Sequence, residues 1–179
     1  GVFGIVQGSV HQKLREQSAQ EITALDFDGY AIGGVAVGEP REMLAKVLRW
    51  TIPHLPADQP RYLMGLGRPE EIVAAALAGV DLFDCVIPTR EGRHGRLFMW
   101  RKKELTGKFY RAINITNQKW RADHTPINPN SDQPLLRHYT KAYLHHLFKT
   151  EEPLALRLST LNNVEFYLEL MCRIRQEIK

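Results

Sequence analysis

The sequence predicts an α/β fold built from four consecutive strand–helix units. Three observations carry that expectation. Short apolar, β-branched or aromatic runs recur at residues 2–6, 29–32, 61–64 and 80–86. Each of the first three is followed by glycine or polar residues and then by a stretch with helical spacing. Each run also ends in residues that pack poorly but suit a site: Gln7-Gly8-Ser9, Gly33-Gly34, Met64-Gly65-Leu66-Gly67, and Asp84 with Thr89-Arg90 beyond it. A crossover helix returns the chain to the same edge, so this alternation means parallel strands. Four such units make half of a (β/α)8 barrel or a small doubly wound sheet. In a barrel the functional residues gather at the C-terminal ends of all strands, whereas an open sheet concentrates them at one switch point. Four loaded strand ends in a row favour the half barrel.

The helices follow in order. Residues 11–25 place Leu14, Ala19, Ile22 and Leu25 near helical spacing. Pro40 opens the second helix, with Met43, Leu44, Val47 and Leu48 on one face. Arg68-Pro69-Glu70-Glu71 opens the third, which runs through Ala78 and stops at Gly79. Residues 91–135 break the rhythm with turn formers and Pro126-Ile127-Asn128-Pro129-Asn130, and an irregular insertion or small subdomain is expected there. Two helices, over residues 135–149 and 163–178, close the chain. In the last, Phe166, Tyr167, Leu170, Ile174 and Ile178 make a core stripe. The expected division is a half barrel over 1–90, a basic insertion over 91–135 and C-terminal helices over 136–179.

A four-stranded parallel arc leaves two edges unpaired and one face uncovered. A complete barrel takes about 250 residues, against 179 here. The arc is therefore expected to pair, either with a chain supplying an N-terminal half barrel or with a second copy of itself. The opening Gly1-Val2-Phe3-Gly4-Ile5-Val6 reads as a core strand with no initiator Met. A processed chain or a piece of something larger is expected.

Charge is spread unevenly. Residues 1–89 hold 7 basic and 11 acidic residues, residues 90–123 hold 10 and 3, and residues 124–179 hold 7 and 6. The middle block suits a polyanion, and phosphate backbones are the usual one; a solvated basic loop is the plain alternative. Cys85 and Cys172 are too few for a disulfide framework and fit a reduced, cytoplasmic setting. No run is long enough to span a bilayer, and no secretory signal pattern opens the chain.

Asp84 is the first candidate for chemistry. A carboxylate beside Phe83, Cys85 and Val86 is costly unless it is hydrogen-bonded or used. Nucleophile, general base and metal ligand all suit it, as does a structural carboxylate pairing with Arg90. The Gln7 amide can donate and accept at the edge of a heterocyclic base. Gly33-Gly34 lets a ligand approach the backbone, and Met64 suits a flat ring or the core. Thr89-Arg90-Glu91-Gly92-Arg93-His94-Gly95-Arg96 spaces arginines at every third position, a pattern suited to phosphates. His94 reads as a loop histidine. His145-His146 read as packing or interface residues, since adjacent helical residues do not share a face.

Together these motifs resemble one family. Phe83-Asp84-Cys85-Val86-Ile87-Pro88-Thr89-Arg90-Glu91-Gly92-Arg93-His94-Gly95 closely resembles the catalytic strand and loop of the tRNA-guanine transglycosylases, also called queuine tRNA-ribosyltransferases. Gln7-Gly8-Ser9, the run from Asp28-Gly29-Tyr30 to Gly33-Gly34-Val35, Tyr62-Leu63-Met64-Gly65 and Ala142-Tyr143-Leu144-His145-His146-Leu147 are similar too, in the family's order. Ala36-Val37-Gly38-Glu39 resembles the bacterial form. The resemblance covers only the family's C-terminal half. It implies a TIM (β/α)8 barrel with a C-terminal subdomain, and exchange of guanine at the tRNA wobble position for a 7-deazaguanine, preQ1 or queuine. It makes Asp84 the nucleophile, Gln7, Gly34, Val35 and Met64 the base pocket, and Arg90 and Arg93 anticodon contacts. Val35 stands where the family usually has Leu. Tyr139, Tyr143 and His146 fall where the bacterial family builds its dimer interface.

Two departures accompany it. The family's general acid/base carboxylate and a second pocket aspartate lie in the half not matched here. The family also holds a structural zinc with three Cys and one His, and those positions are Ser131, Gln133, Leu136 and Asn162. None is a good zinc ligand. No metal and no cofactor are expected, and Leu135 and Leu136 are expected to pack on the closing helices instead. The expected partners are tRNA, a 7-deazaguanine base, and the chain or copy that completes the barrel. The competing expectation is a non-catalytic tRNA-binding or scaffolding relative.

Overall fold

Four parallel strands follow one another across a sheet in chain order: β1 (Phe3–Val6), β2 (Gly29–Ile32), β3 (Arg61–Leu63) and β4 (Leu82–Phe83). The helices α1 (Gln12–Thr23), α2 (Leu44–Thr51) and α3 (Pro69–Leu77) connect them. This computed structural model describes residues 1–35 and 38–178. Ala36 and Val37, within the Ala36-Val37-Gly38-Glu39 motif, lie outside the described residues. The chain divides into two compact units, Gly1–Cys85 and Val86–Lys179.

In the first unit the parallel βα alternation is as expected. Period-2 alternation divides the sheet into two faces. Val6, Tyr30, Ile32 and Leu63 pack with Ala19, Val47, Leu48 and Ala75 of the helices into one core. On the opposite face the register aligns Ile5, Ala31, Tyr62 and Leu82 in one row across all four strands. The outer members of that row, Ile5 and Leu82, remain 40 % and 46 % exposed. Among the described residues β1 and β4 each pair along one edge only.

Helix α3 matches its signals. Pro69 sits in the first turn, the Glu71 carboxylate accepts the Arg68 N–H at 3.1 Å, and Gly79 adopts φ +102° just past the end. Helix α1 packs Ala19 and Ile22 on the core as expected, but Arg15 takes the inner place expected of Leu14, and Leu25 lies beyond the helix end. Its buried residues are Arg15 and Ala19, while Leu14 is 53 % and Leu25 63 % exposed. The strand expected over 80–86 pairs only at Leu82–Phe83, because the chain turns into a helix immediately after Val86.

In the second unit the stretch expected to be an irregular insertion or small subdomain holds regular structure. Helix α4 (Ile87–Arg93) leads into an antiparallel hairpin of β5 (Arg96–Trp100) and β6 (Tyr110–Asn114). Three helices follow: α5 (Pro134–His138), α6 (Lys141–Lys149) and α7 (Pro153–Glu177). The single helix expected over 135–149 is thus two, separated by extended residues Tyr139 and Thr140; the Thr140 hydroxyl caps α6 by accepting the Tyr143 N–H at 3.1 Å. Helix α7 starts ten residues before the expected 163. Its Asn163 is buried mid-helix rather than at a cap: it accepts from Phe98 N–H (3.0 Å) and donates to Pro88 O (3.0 Å) and Arg96 O (2.9 Å). One amide thereby satisfies the free side of β5 and the start of α4. The stripe of Phe166, Tyr167, Leu170 and Ile174 is buried as expected, but Ile178 is 59 % exposed.

Candidate functional site

Parallel strands in one sheet end on the same rim, so the residues following β1, β2, β3 and β4 gather there. Gln7, Gly33-Gly34, Met64-Gly65 and Asp84 are those residues. The structure therefore brings together four of the expected site residues, Gln7, Gly34, Met64 and Asp84, with Val35 beside them.

Asp84 is exposed and held by one oxygen. Its Oδ1 accepts from the Tyr62 hydroxyl at 2.5 Å and from the Gly65 N–H at 2.8 Å. Among the described residues its Oδ2 receives no hydrogen bond. A carboxylate fixed through one oxygen with the other open can serve as nucleophile or base without rotating. The backbone beneath it is tightly packed: a side chain on Gly67 would collide with Cys85 Sγ at 2.1 Å. Glycine at 67 is what lets the strand end seat against β3.

Tyr62 was not singled out from the sequence. The β3–β4 register pairs Tyr62 with Leu82, so both point to the face on which the next-but-one residue, Asp84, emerges. Its hydrogen bond to Asp84, then burial and the carboxylate's charge, push the phenol up to about 12. Against an unfolded value of about 10, this bond contributes stability below pH 10. The contribution is lost as pH rises from about 10 through about 12. An ultraviolet tyrosinate titration of the six tyrosines is expected to show one lagging to about pH 12. Asp84→Asn should move that one back toward 10; an unchanged titration would rule the pair out.

At the other end of the rim, Gln7 is exposed and its N–H donates to Ser18 Oγ at 3.1 Å. Its side chain lies across the glycine pair, since a Cβ at Gly34 would meet Gln7 Oε1 at 2.7 Å. Gly34 has φ +61°, which a side chain would strain. Val35 is 7 % exposed and belongs to the core, so its backbone is what it offers a ligand. Met64 is half-buried and donates its N–H to Ile32 O at 3.2 Å.

Arg15 is a second residue the sequence reading missed. It is fully buried and donates to Ser9 O (2.7 Å), Gly34 O (2.8 Å) and Val6 O (3.4 Å). Burial lowers its pKa, with Glu39's charge opposing that. A signal was present: Arg15 stands four residues before Ala19 and seven before Ile22, a helical stripe that counting apolar residues alone does not reveal.

Arg90 and Arg93 are exposed in the last turn of α4, in the second unit. They stand on a helix where a loop was expected. Arg90 lies 3.8 Å from Glu91, and its carbonyl oxygen contacts His94 Nδ1 at 2.7 Å. The second unit also carries Arg101, Lys102, Lys103 and Lys108 between β5 and β6, all exposed. His145 is buried with Nδ1 bonded to Ile115 O at 2.8 Å, whereas His146 and Tyr143 are exposed on α6, and Tyr143 stacks on Tyr139 at 5.0 Å.

The four positions expected to replace zinc ligands form no donor set. Ser131 Oγ donates to Glu165 at 2.5 Å and accepts from Gln133 N–H at 2.9 Å. Leu136 is fully buried in the apolar core of the second unit. Asn162 Nδ2 donates to Phe98 O at 3.0 Å. Asn162 Oδ1 is buried without a partner, but a hydroxyl, two amides and an alkyl group are not the thiolate and imidazole set that holds structural tetrahedral zinc. Among the described residues no three His, Cys, Asp or Glu side chains converge elsewhere, and no helix is long and apolar enough to cross a membrane.

Comparison with known proteins extends these observations. A family model described as queuine tRNA-ribosyltransferase matches residues 1–179. The queuine tRNA-ribosyltransferase of Thiobacillus denitrificans is 48% identical over 177 residues, covering 99% of this chain and 46% of the relative. That of Rickettsia rickettsii is 49% identical over 177 residues, with 99% and 46% covered. That of Anoxybacillus flavithermus is 46% identical over 179 residues, with 100% and 45% covered. The chain spans a little under half the length of these curated relatives. With a family match over residues 1–179 and relatives 46–49% identical across the chain, the chain belongs to the queuine tRNA-ribosyltransferase family.

Proposed function

We propose that this chain carries the nucleophile half of a tRNA-guanine transglycosylase site. The observation that carries the reading is the Asp84 carboxylate, anchored through Oδ1 with Oδ2 open on the strand-end rim. In the proposed reaction Oδ2 attacks ribose C1′ of a wobble-position guanosine. The C1′–N9 bond breaks, and guanine leaves with the electron pair and takes up a proton. The nitrogen of an incoming 7-deazaguanine, preQ1 or queuine, then attacks C1′ from the vacated face, loses its proton and displaces Asp84. Two inversions retain configuration, as in retaining glycosidases. Gln7, the Gly34 and Val35 backbone and Met64 hold the base. A base held in a single-stranded loop is easier to insert. Arg90 and Arg93 contact anticodon phosphates.

In this reading the proton donor and the remaining barrel strands lie outside these 179 residues. The single-sided pairing of β1 and β4 and the exposed Ile5 and Leu82 support a completed (β/α)8 barrel. The stacked, exposed Tyr143 with His146 supports a homo-oligomer contact on α6. A cytoplasmic setting accords with a tRNA substrate.

The charge of the second unit favours one other reading, a tRNA-binding module without catalysis. Residues 90–123 alone hold 10 basic and 3 acidic residues. Incubation with tRNA and labelled guanine, with and without a polypeptide supplying the other half barrel, separates the two. Guanine exchange in the completed protein is expected; tight tRNA binding without exchange under either condition would leave the binding module.

The subdomain holds without metal in this reading, through Ser131–Glu165 and the buried Leu136. Prolonged chelation is expected to leave the unfolding midpoint unchanged and elemental analysis to find less than stoichiometric zinc. Ser131→Ala should destabilise by about 1–2 kcal/mol. Stoichiometric zinc would overturn this.

A further inference from the structure

Two left-handed turns stand at the ends of β1 and β2. Ser9 has φ +46°, unusual for a residue with a side chain, and Gly34 has φ +61°. Such conformations persist only where surrounding structure over-determines them. Both turns have the same anchor. Arg15 Nε donates to Ser9 O at 2.7 Å and Arg15 Nη2 to Gly34 O at 2.8 Å, while Nη1 reaches Val6 O at 3.4 Å. The guanidinium is fully buried. A Cβ at Gly34 would lie 2.7 Å from Gln7 Oε1 and 3.5 Å from Arg15 Nη2, so both side chains crowd the same side of the Gly34 backbone.

We propose that Arg15 is the positioning residue of the base pocket, clamping the Ser9 and Gly34 turns so that the Gln7 amide and the Gly34 backbone present a fixed edge to a guanine-type base. This rests on the base-exchange reading of the rim. Desolvating a guanidinium to bond three carbonyls is a costly way to join two strands that already pair. It is explained if the geometry of the turns matters more than the stability gained. Because the guanidinium fork has fixed directions, lysine cannot reproduce it. Arg15 touches neither the base nor ribose; it acts through Gly34 and the turn after Gln7.

The experiment compares wild type, Arg15→Lys, Arg15→Met and Val47→Ala in the full chain completed by a polypeptide supplying the other half barrel. Guanine affinity is measured by calorimetry, and amide hydrogen exchange at Ser9 and Gly34 is measured without ligand. Val47 is buried in the same core at a distance in sequence from the rim, so its truncation controls for loss of stability. Both Arg15 variants are expected to weaken guanine binding at least about tenfold in folded protein and to speed exchange at Ser9 and Gly34. Val47→Ala should lower the Tm and do neither. Wild-type exchange at Ser9 and Gly34 in Arg15→Lys would overturn the proposal, whatever the Tm; that variant keeps charge and bulk, so it decides the matter if Arg15→Met does not fold. Absence of guanine binding in wild type would instead count against the base-exchange reading, while the exchange measurement still decides the role of Arg15.

Discussion

Asp84→Asn is expected to abolish the covalent tRNA adduct and to lower base exchange at least on the order of 10³-fold, the scale of losing a covalent nucleophile. The amide keeps the shape of the carboxylate. Its carbonyl oxygen can still accept from the Tyr62 hydroxyl and the Gly65 N–H that hold Oδ1 in place. Fold and tRNA affinity should therefore survive, leaving a variant that binds but forms no bond. Tyr62→Phe serves as the graded companion. It removes the 2.5 Å anchor but leaves Gly65, and a loss of about tenfold in kcat with tRNA affinity unchanged is expected. If Asp84→Asn retained the adduct, the carboxylate would be structural and the rim would need another nucleophile.

The second large effect lies in the other unit. Asn163→Ala removes a side-chain partner from three backbone groups at once: Phe98 N–H, Pro88 O and Arg96 O. Leaving a buried polar group unpaired costs about 1–3 kcal/mol. Partial relaxation makes these terms less than additive, so a total of about 3 kcal/mol is expected. Urea unfolding followed by tryptophan fluorescence measures it, since Trp100 and Trp120 report on the second unit and Trp50 on the first. A loss below about 1 kcal/mol would mean that water replaces the amide.

The contrast between the two units explains what could be read from the sequence. β1, β2 and β3 announce themselves because β-branched and aromatic runs end in Gly or polar residues, and α3 because Pro69 and Gly79 bracket it. The strands pair across long stretches of chain, but a short apolar run with a punctuated end marks each of them locally. The hairpin β5–β6 hides because nine residues rich in Arg and Lys separate its strands, and a charge run reads as loop. Helix α7 hides its first ten residues because the expected helix starts at Asn163, and only the neighbouring strand makes Asn162 and Asn163 interior groups. At the site, the strand-end residues were legible as motifs. Tyr62 and Arg15 were not. Tyr62 meets Asp84 through parallel register across 22 positions, and Arg15 is a charge in a buried stripe. Both support a neighbour rather than carrying a recognisable pattern of their own. Arg90 and Arg93 were legible as charges but not as members of a helix.

The central claim, that Asp84 forms a bond to ribose C1′, is tested most directly by locating that bond. The chain, together with the half barrel that completes it, is incubated with tRNA, denatured, digested with nuclease and protease, and mapped by mass spectrometry. A ribosyl-linked fragment on the peptide containing Asp84, absent in Asp84→Asn, is the expected result. A ribosyl group on any other residue, or base exchange with no linked peptide, would contradict the account.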